Sequence, residues 1–381
     1  MERLVYCDYS ATTFVKQEVL REMLPYFSTN FGNASAVYSI ARKSREAIDI
    51  SRKKVALALN CNSDEVYFTA SGSEADNMIL LGIARANKNK GRHIITSKIE
   101  HLAVLNTCKE LEREGFEVTY LNVDKNGIVN LDELRNSIRD DTILISIMMA
   151  NNEVGVIEPI KEIGDIARQN NIIFHTDAVQ AVGHIIIDVN DMNIDALSIS
   201  AHKFYGPKGI GSAYIKRNID FDPVILGGHQ EHCKRAGTEN VPGIVGIGKA
   251  IEIANLNLED HNYNISCLRD CLLKEIKNNI DGVIINADIE NKLPGSISLS
   301  IDGVDSRNLL LMLDMNGICV SSGSACNSNS IAPSHVLTAM GLSLKQALST
   351  IRITLGDKNT MEDIKYIAYV LKNVVINYRK K

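Results

Sequence analysis

A chain of 381 residues, 45% hydrophobic and 23% charged, has the balance of a globular protein and is long enough for more than one domain. Its net charge of −5, with lysines scattered rather than clustered, offers no basic field for a nucleic-acid backbone or an anionic membrane, so neither is expected as a partner. The opening "MERLVYCDYSATTF" lacks the apolar run of a signal peptide, and eight widely spread cysteines form no CxxC pair, so a cytoplasmic protein with reduced thiols is expected.

In chain order, "EVYFTA", "HIITS", "FEVTYL", "TILISIMM", "IIFHTD", "ALSISA" and "GSAYI" read as strands between residues 65 and 216, separated by longer amphipathic stretches. Strands alternating with helices imply an α/β fold whose mostly parallel seven-stranded sheet is covered on both faces. After Ala254 the texture changes to a long polar-faced helix "NISCLRDCLLKEIKNNI", then "SISLSI", a helix "SRNLLLMLDMNG", the short strand "ICVSS" and a C-terminal helix from about Met361. A large domain over 13–258 and a smaller α+β domain built from 1–12 and 259–381 are expected.

Ligands of open α/β sheets bind beyond the carboxyl ends of the strands, which makes the residues just past each strand the candidates. "VYFTA" runs into Ser71, Gly72 and Ser73 at a helix start, where small residues either cap the helix or leave amides and hydroxyls for an anion. His101 opens the helix after "HIITS", and Asn151, Asn152 and Glu153 follow "ILISIMM". Asp177 ends "IIFHTD" with Gln180 three residues on, and Ser200, His202 and Lys203 follow "ALSI". Singly, each is a cap, a turn or a solvated side chain. Jointly they supply what pyridoxal 5′-phosphate demands: a lysine for a Schiff base (Lys203), an acid for the ring nitrogen (Asp177), and a phosphate site (Ser71–Ser73, Ser200, His202). His101 is placed to lie over the ring and shuttle protons.

"DYSATT", "NFGNASA", "FTASGSEADN", "EHLAVL", "NNEVGVIEPI", "HTDAVQAVG", "SISAHKFYGPKGIG", "RAGTENV", "SSGSACNSNS" and "IRITLG" stand in the order of the motifs of the NifS/IscS-type cysteine desulfurases. The chain resembles that family, within the class V branch of fold-type I pyridoxal-phosphate enzymes, over nearly its whole length. The resemblance implies conversion of L-cysteine to L-alanine, with the sulfur left as a persulfide on a catalytic cysteine for iron–sulfur cluster or thio-cofactor assembly. It implies that Lys203 carries the cofactor, Asp177 partners its ring nitrogen, and Asn152 and Gln180 lie near its hydroxyl. Gly72, Ser73, Ser200 and His202 would hold the phosphate with Thr238, which the resemblance supplies from the second subunit of a homodimer. Arg352, supported by Asn152, would bind the substrate carboxylate, Cys326 would carry the persulfide to a sulfur-acceptor protein, and His101 would stack on the ring and take the thiol proton.

Departures from the family pattern are Ser73 for threonine, "DYSATT" for a double-asparagine form, and His229 where a third glycine is usual, with His232 and Cys233 following. Neither that loop nor Cys319, Cys326 and His335 has the spacing of a zinc site, and no metal is expected. A selenocysteine lyase, another class V aminotransferase and an inactive sulfur-relay scaffold stay open beside the desulfurase reading; Lys203, Asp177 and Cys326 together speak against the last. Serine, glycine and asparagine around Cys326 bury little apolar surface, so a long mobile loop is expected there.

Overall fold

The computed structural model describes residues 3–287, 290–322 and 333–380. Twelve strands are present among them: β1 (Val5–Tyr6), β2 (Val66–Thr69), β3 (His93–Ser97), β4 (Glu117–Leu121), β5 (Thr142–Ser146), β6 (Ile173–Asp177), β7 (Ala196–Ser200), β8 (Gly211–Ile215), β9 (Val283–Ile285), β10 (Ser296–Ile301), β11 (Ile318–Cys319) and β12 (Thr350–Thr354). The seven strands read from the sequence between residues 65 and 216 are those of the large sheet, in the order β2-β8-β7-β6-β5-β3-β4. Within it β8 runs antiparallel to both neighbours and all other pairings are parallel, so β2, β3, β5, β6 and β7 end on one side. Every residue of β3, β5 and β7 is buried, as a parallel strand covered on both faces requires.

"TILISIMM" is shorter as a strand than its apolar run. β5 stops at Ser146, and the rest continues into the turn bearing Asn151 and Asn152. "ICVSS" likewise shrinks to Ile318–Cys319, paired in parallel with β1.

The C-terminal part holds a three-stranded sheet in which β10 lies antiparallel between β12 and β9. Side chains of a strand alternate between faces. In β10 the residues Ile297, Leu299 and Ile301 enter an apolar core with Ile351, Ile353 and Leu371. Ser296, Ser298 and Ser300 therefore face the other way, and with them, across the register Ser298↔Arg352, the guanidinium of Arg352. The sequence "TIRIT" thus buries two isoleucines in one layer and delivers an arginine to the next. A second core, under the large sheet, packs Val55 and Leu59 of helix Ser39–Leu59 with Phe174, Ile199 and Ile247. Among the described residues no helix is long and apolar enough to cross a membrane.

Two buried glutamates hold protons. Glu158 accepts Val129 N–H at 3.0 Å, and its other oxygen meets no partner. Burial pushes its carboxyl from 4.5 up to about 8, and Glu100 is pushed up to about 8 for the same reason. The native state therefore keeps protons that the unfolded chain releases as pH rises from about 4.5, and stability falls through the window ending near 8. Glu158→Gln, neutral throughout, is expected to flatten that fall: its thermal midpoint should exceed the parent's at about pH 8 and match it at about pH 5. Parallel midpoint curves for the two proteins would contradict it.

Candidate active site

The carboxyl ends of β2, β3, β5, β6 and β7 open into one cavity of about 240 Å3. Gly72, Ser73, His101, Asn152, Asp177, Gln180, Ser200, His202, Lys203 and Arg352 all line it. Two further expected residues are not among those lining it. Thr238 is exposed on the loop before helix Val241–Leu256, and Cys326 lies outside the described residues.

Helix Gly72–Asn87 aims its N-terminus into the cavity. Ser71 is its cap, the hydroxyl accepting Glu74 N–H at 3.1 Å, while Glu74 reaches back to Ala70 N–H at 3.0 Å. The cap is real, and it uses Ser71 alone; Ser73 keeps its hydroxyl beside the free amides of the first turn, where the helix dipole favours an anion. Gly72 is fixed by space, since a Cβ there would lie 2.6 Å from Val179 Cγ2 and 3.2 Å from Ser200 Cβ. His202 adds a neutral ring, its pKa lowered to about 4 by burial and by the charges of Lys203 and Lys208.

Lys203 donates to the carbonyls of Ser10 at 2.5 Å and Ala11 at 2.9 Å. Gln180 donates to the same Ser10 carbonyl at 3.0 Å, and His202 Nδ1 meets Thr12 Oγ1 at 3.1 Å. The N-terminal segment "DYSATT" thus forms one wall of the cavity.

Asp177 is buried at the end of β6 and accepts Val179 N–H at 2.9 Å. Burial raises its pKa, opposed by His101, the Val179 N–H and Lys203. His101 caps helix Leu102–Arg113, its Nδ1 accepting Ala103 N–H at 3.1 Å, so the neutral ring carries its proton on Nε2. Its pKa is lowered, chiefly by burial, which keeps the ring neutral. As it stands His101 is a donor; it takes a proton on Nδ1 only once the Ala103 contact opens.

Beneath this end lies a carboxyl that sequence reasoning passed over. Asp76, 1% exposed, lines the cavity, and its Oδ1 has no hydrogen-bond partner. Ligand atoms of Asp76, His101 and Asp177 lie within 4.8 Å of one another. Two ionised carboxylates at that separation repel by roughly 3 kcal/mol even at an effective dielectric constant of 20. Between Ala75 and Ala84 helix Gly72–Asn87 is buried nearly all round, and that was the available signal for an inward-facing acid at position 76.

Arg352, 1% exposed, donates from Nη2 to Asp8 Oδ1 at 2.7 Å and from Nη1 to the Asn152 carbonyl at 2.8 Å, while its buried Nε meets nothing. The fork is held from behind with donors left for an anion. Arg352→Lys should keep the Asp8 pair yet lose the two-pronged grip, raising KM for a carboxylate substrate about 10- to 100-fold with little change in cofactor absorbance. A fall in kcat at unchanged KM would remove Arg352 from carboxylate binding.

The segment carrying Cys326 is rooted in the site at both described ends. Ser321 and Arg352 exchange backbone hydrogen bonds of 3.1 and 2.6 Å, and Ser334 Oγ donates to buried Glu153 at 2.5 Å. His335, next to it, lines the cavity and contacts the Glu100 carbonyl at 3.0 Å through Nε2. In the 229–233 loop, His229 Nδ1 and Cys233 Sγ are 3.3 Å apart while His232 packs edge-on against Tyr67. Glu231 between them is buried in a two-pronged pair with Arg52 at 2.7 Å, which makes the loop an anchored turn.

The profile of the Aminotransferase class-V family matches residues 5–367. A protein named cysteine desulfurase IscS from Clostridium botulinum (strain Hall) is 53% identical over 382 residues, 100% of this chain and 96% of that one. Among solved structures, a "NifS-like protein" superposes with a TM-score of 0.93 at 37% identity, over 98% of this chain and 100% of the other. "SspA in complex with cysteine" follows with a TM-score of 0.82 at 38% identity, over 93% and 99%.

Proposed function

The chain belongs to the class-V aminotransferase family, and from that premise we propose that it is a pyridoxal-phosphate-dependent cysteine desulfurase, converting L-cysteine to L-alanine and passing the sulfur through Cys326 to an acceptor protein. One observation carries the reading: an amine, Lys203, a buried acid, Asp177, and a backed guanidinium, Arg352, line one cavity beside a helix N-terminus.

The residues fit the cofactor. A phosphate would meet the free amides of helix Gly72–Asn87 with Ser73, Ser200 and His202 around them, at a position where Gly72 leaves no room for a side chain. A ring nitrogen would meet Asp177, and the unpartnered oxygen of Asp76 lies at the same end. When bound, pyridoxal phosphate supplies an aldehyde for amine attachment and a ring that accepts an electron pair from the substrate α-carbon.

This chain's residues do the rest. Lys203 would tether the cofactor, and its free amine would be a base inside the cavity able to carry the α-proton. Arg352 fixes the substrate carboxylate, and through it the direction in which the side-chain sulfur points. Asp177 holds its negative charge against the ring nitrogen. The Cys326 thiolate then attacks the substrate sulfur, a sulfur–sulfur bond forms as the carbon–sulfur bond breaks, and L-cysteine plus the thiol become L-alanine plus a persulfide. Thr238, exposed and away from the cavity in one chain, would complete the phosphate site of a second subunit; a monomer in sedimentation would sink that assignment. The division at residue 258 would separate the cofactor-holding part from the part carrying Cys326, and limited proteolysis releasing no fragment near that point would count against it. The described cysteines are all free, in keeping with a cytoplasmic setting; fractionation of the native host would test it.

Incubation of the purified protein with L-cysteine, without reductant, should yield one alanine per chain and a one-sulfur mass gain on the peptide bearing Cys326. Alanine without that gain points to a lyase, and dependence on a second keto acid points to an aminotransferase.

A further inference from the structure

We propose that Asp76 is a positioning residue of the cofactor's ring-nitrogen site: a neutral carboxylic acid that donates a hydrogen bond to Asp177 and so keeps Asp177 ionised. This deepens the cofactor reading given above and rests on it.

The case begins with partners. Asp76 is 1% exposed, and its Oδ1 has no hydrogen-bond partner among the described residues. Its near neighbour His175, 3.7 Å away, is pinned between Ser146 at 2.9 Å and Ser198 at 3.0 Å and is fully buried. Both ring nitrogens meet hydroxyls, and burial lowers its pKa to about 3, so it stands neutral and lends no positive charge. The groups facing Asp76 are therefore His175 and Asp177 of β6, Ser198 of β7, Glu100 and His101 of the loop after β3. Two of these are acids, and Glu100 itself holds a proton at neutral pH. Burial and the charge of Asp177 raise the pKa of Asp76 far above the usual carboxylate range, and the Ser198 hydroxyl opposes the rise only in part.

Two buried carboxyls this close hold one proton between them, and the nearby Lys203 ammonium acts on Asp177. The assignment of that proton follows from what each faces. Asp177 receives the Val179 N–H and lies near His101 and Lys203, all of which favour its charged form. Asp76 faces the Ser198 hydroxyl but also the acids Asp177 and Glu100, and keeps the proton. Its O–H then has Asp177 as acceptor, and a bond donated to Asp177 lowers the proton affinity of Asp177. With its acid ionised, the ring nitrogen stays protonated to higher pH.

An amide mimics a neutral acid, and an alkyl side chain does not. Bound cofactor labelled at its ring nitrogen reports protonation through the NMR shift of that nitrogen, whatever the turnover. Asp76→Leu should lower the pH at which the ring nitrogen deprotonates by at least about one unit, and Asp76→Asn should restore it. If Asp76 were ionised, Asn would remove a negative charge and shift the titration as Leu does, which overturns the proposal; an unshifted Leu variant overturns it as well. Should Asp76→Leu fail to fold, the infrared difference between the parent and Asp76→Asn decides: a protonated-carboxyl band beyond those of Glu100 and Glu158 must vanish in the variant, and its absence from the parent is the overturning result. That band is measured with or without cofactor, so its outcome is independent of whether the protein desulfurates cysteine.

Discussion

Lys203→Ala is expected to abolish covalent attachment of pyridoxal phosphate and to cut turnover of L-cysteine by at least roughly 1,000-fold. Two losses combine. The tether disappears, so the cofactor is held only by its phosphate and ring contacts, and the base able to move the α-proton goes with it. The substitution also leaves the carbonyls of Ser10 and Ala11 without the ammonium that they accept. The measurement is borohydride reduction followed by mass analysis of the cofactor-bearing peptide. Label that persists in the variant, on whichever lysine, would end the assignment. Added amines should recover part of the proton transfer while leaving the tether absent, which separates the two losses.

Cys326→Ala should do the opposite: the cofactor stays bound with its parent absorbance, and persulfide formation is lost altogether. None of the described cysteines lines the cavity. Cys7 and Cys108 are buried with thiols pushed up to about 12, so neither can supply a thiolate near neutrality. Alanine production should therefore fall by more than about 100-fold without added thiol. Undiminished alanine release would show that sulfur leaves without passing through Cys326, as in a lyase.

The large sheet was legible because most of its strands are buried on both faces and stand out as apolar runs between turns. β1, β9 and β12 were not read as strands: the first two are only two and three residues long and are settled by distant partners, while β12 alternates isoleucines with polar residues. Most of the candidate site was legible for a different reason: in such a sheet the chemistry gathers where parallel strands end, and five strand ends carried polar residues. Asp8 and Ser10 were missed because their partners, Arg352 and Lys203, come from the far end of the chain and from β7's end. Asp76 was missed because a helix pattern tells that a face is buried without telling what it is buried against. The proton on Nε2 of His101 could be read only from the Ala103 contact.

Chain ends ordinarily tolerate trimming, tags and fusions, because few contacts depend on them. Residues 8–13 break that rule. Within six positions they supply the carboxylate behind Arg352, two carbonyls for Lys203, one of them shared with Gln180, and the hydroxyl beside His202. Substitutions or a deletion reaching this strip would be scored as a poor enzyme although the large sheet stayed whole.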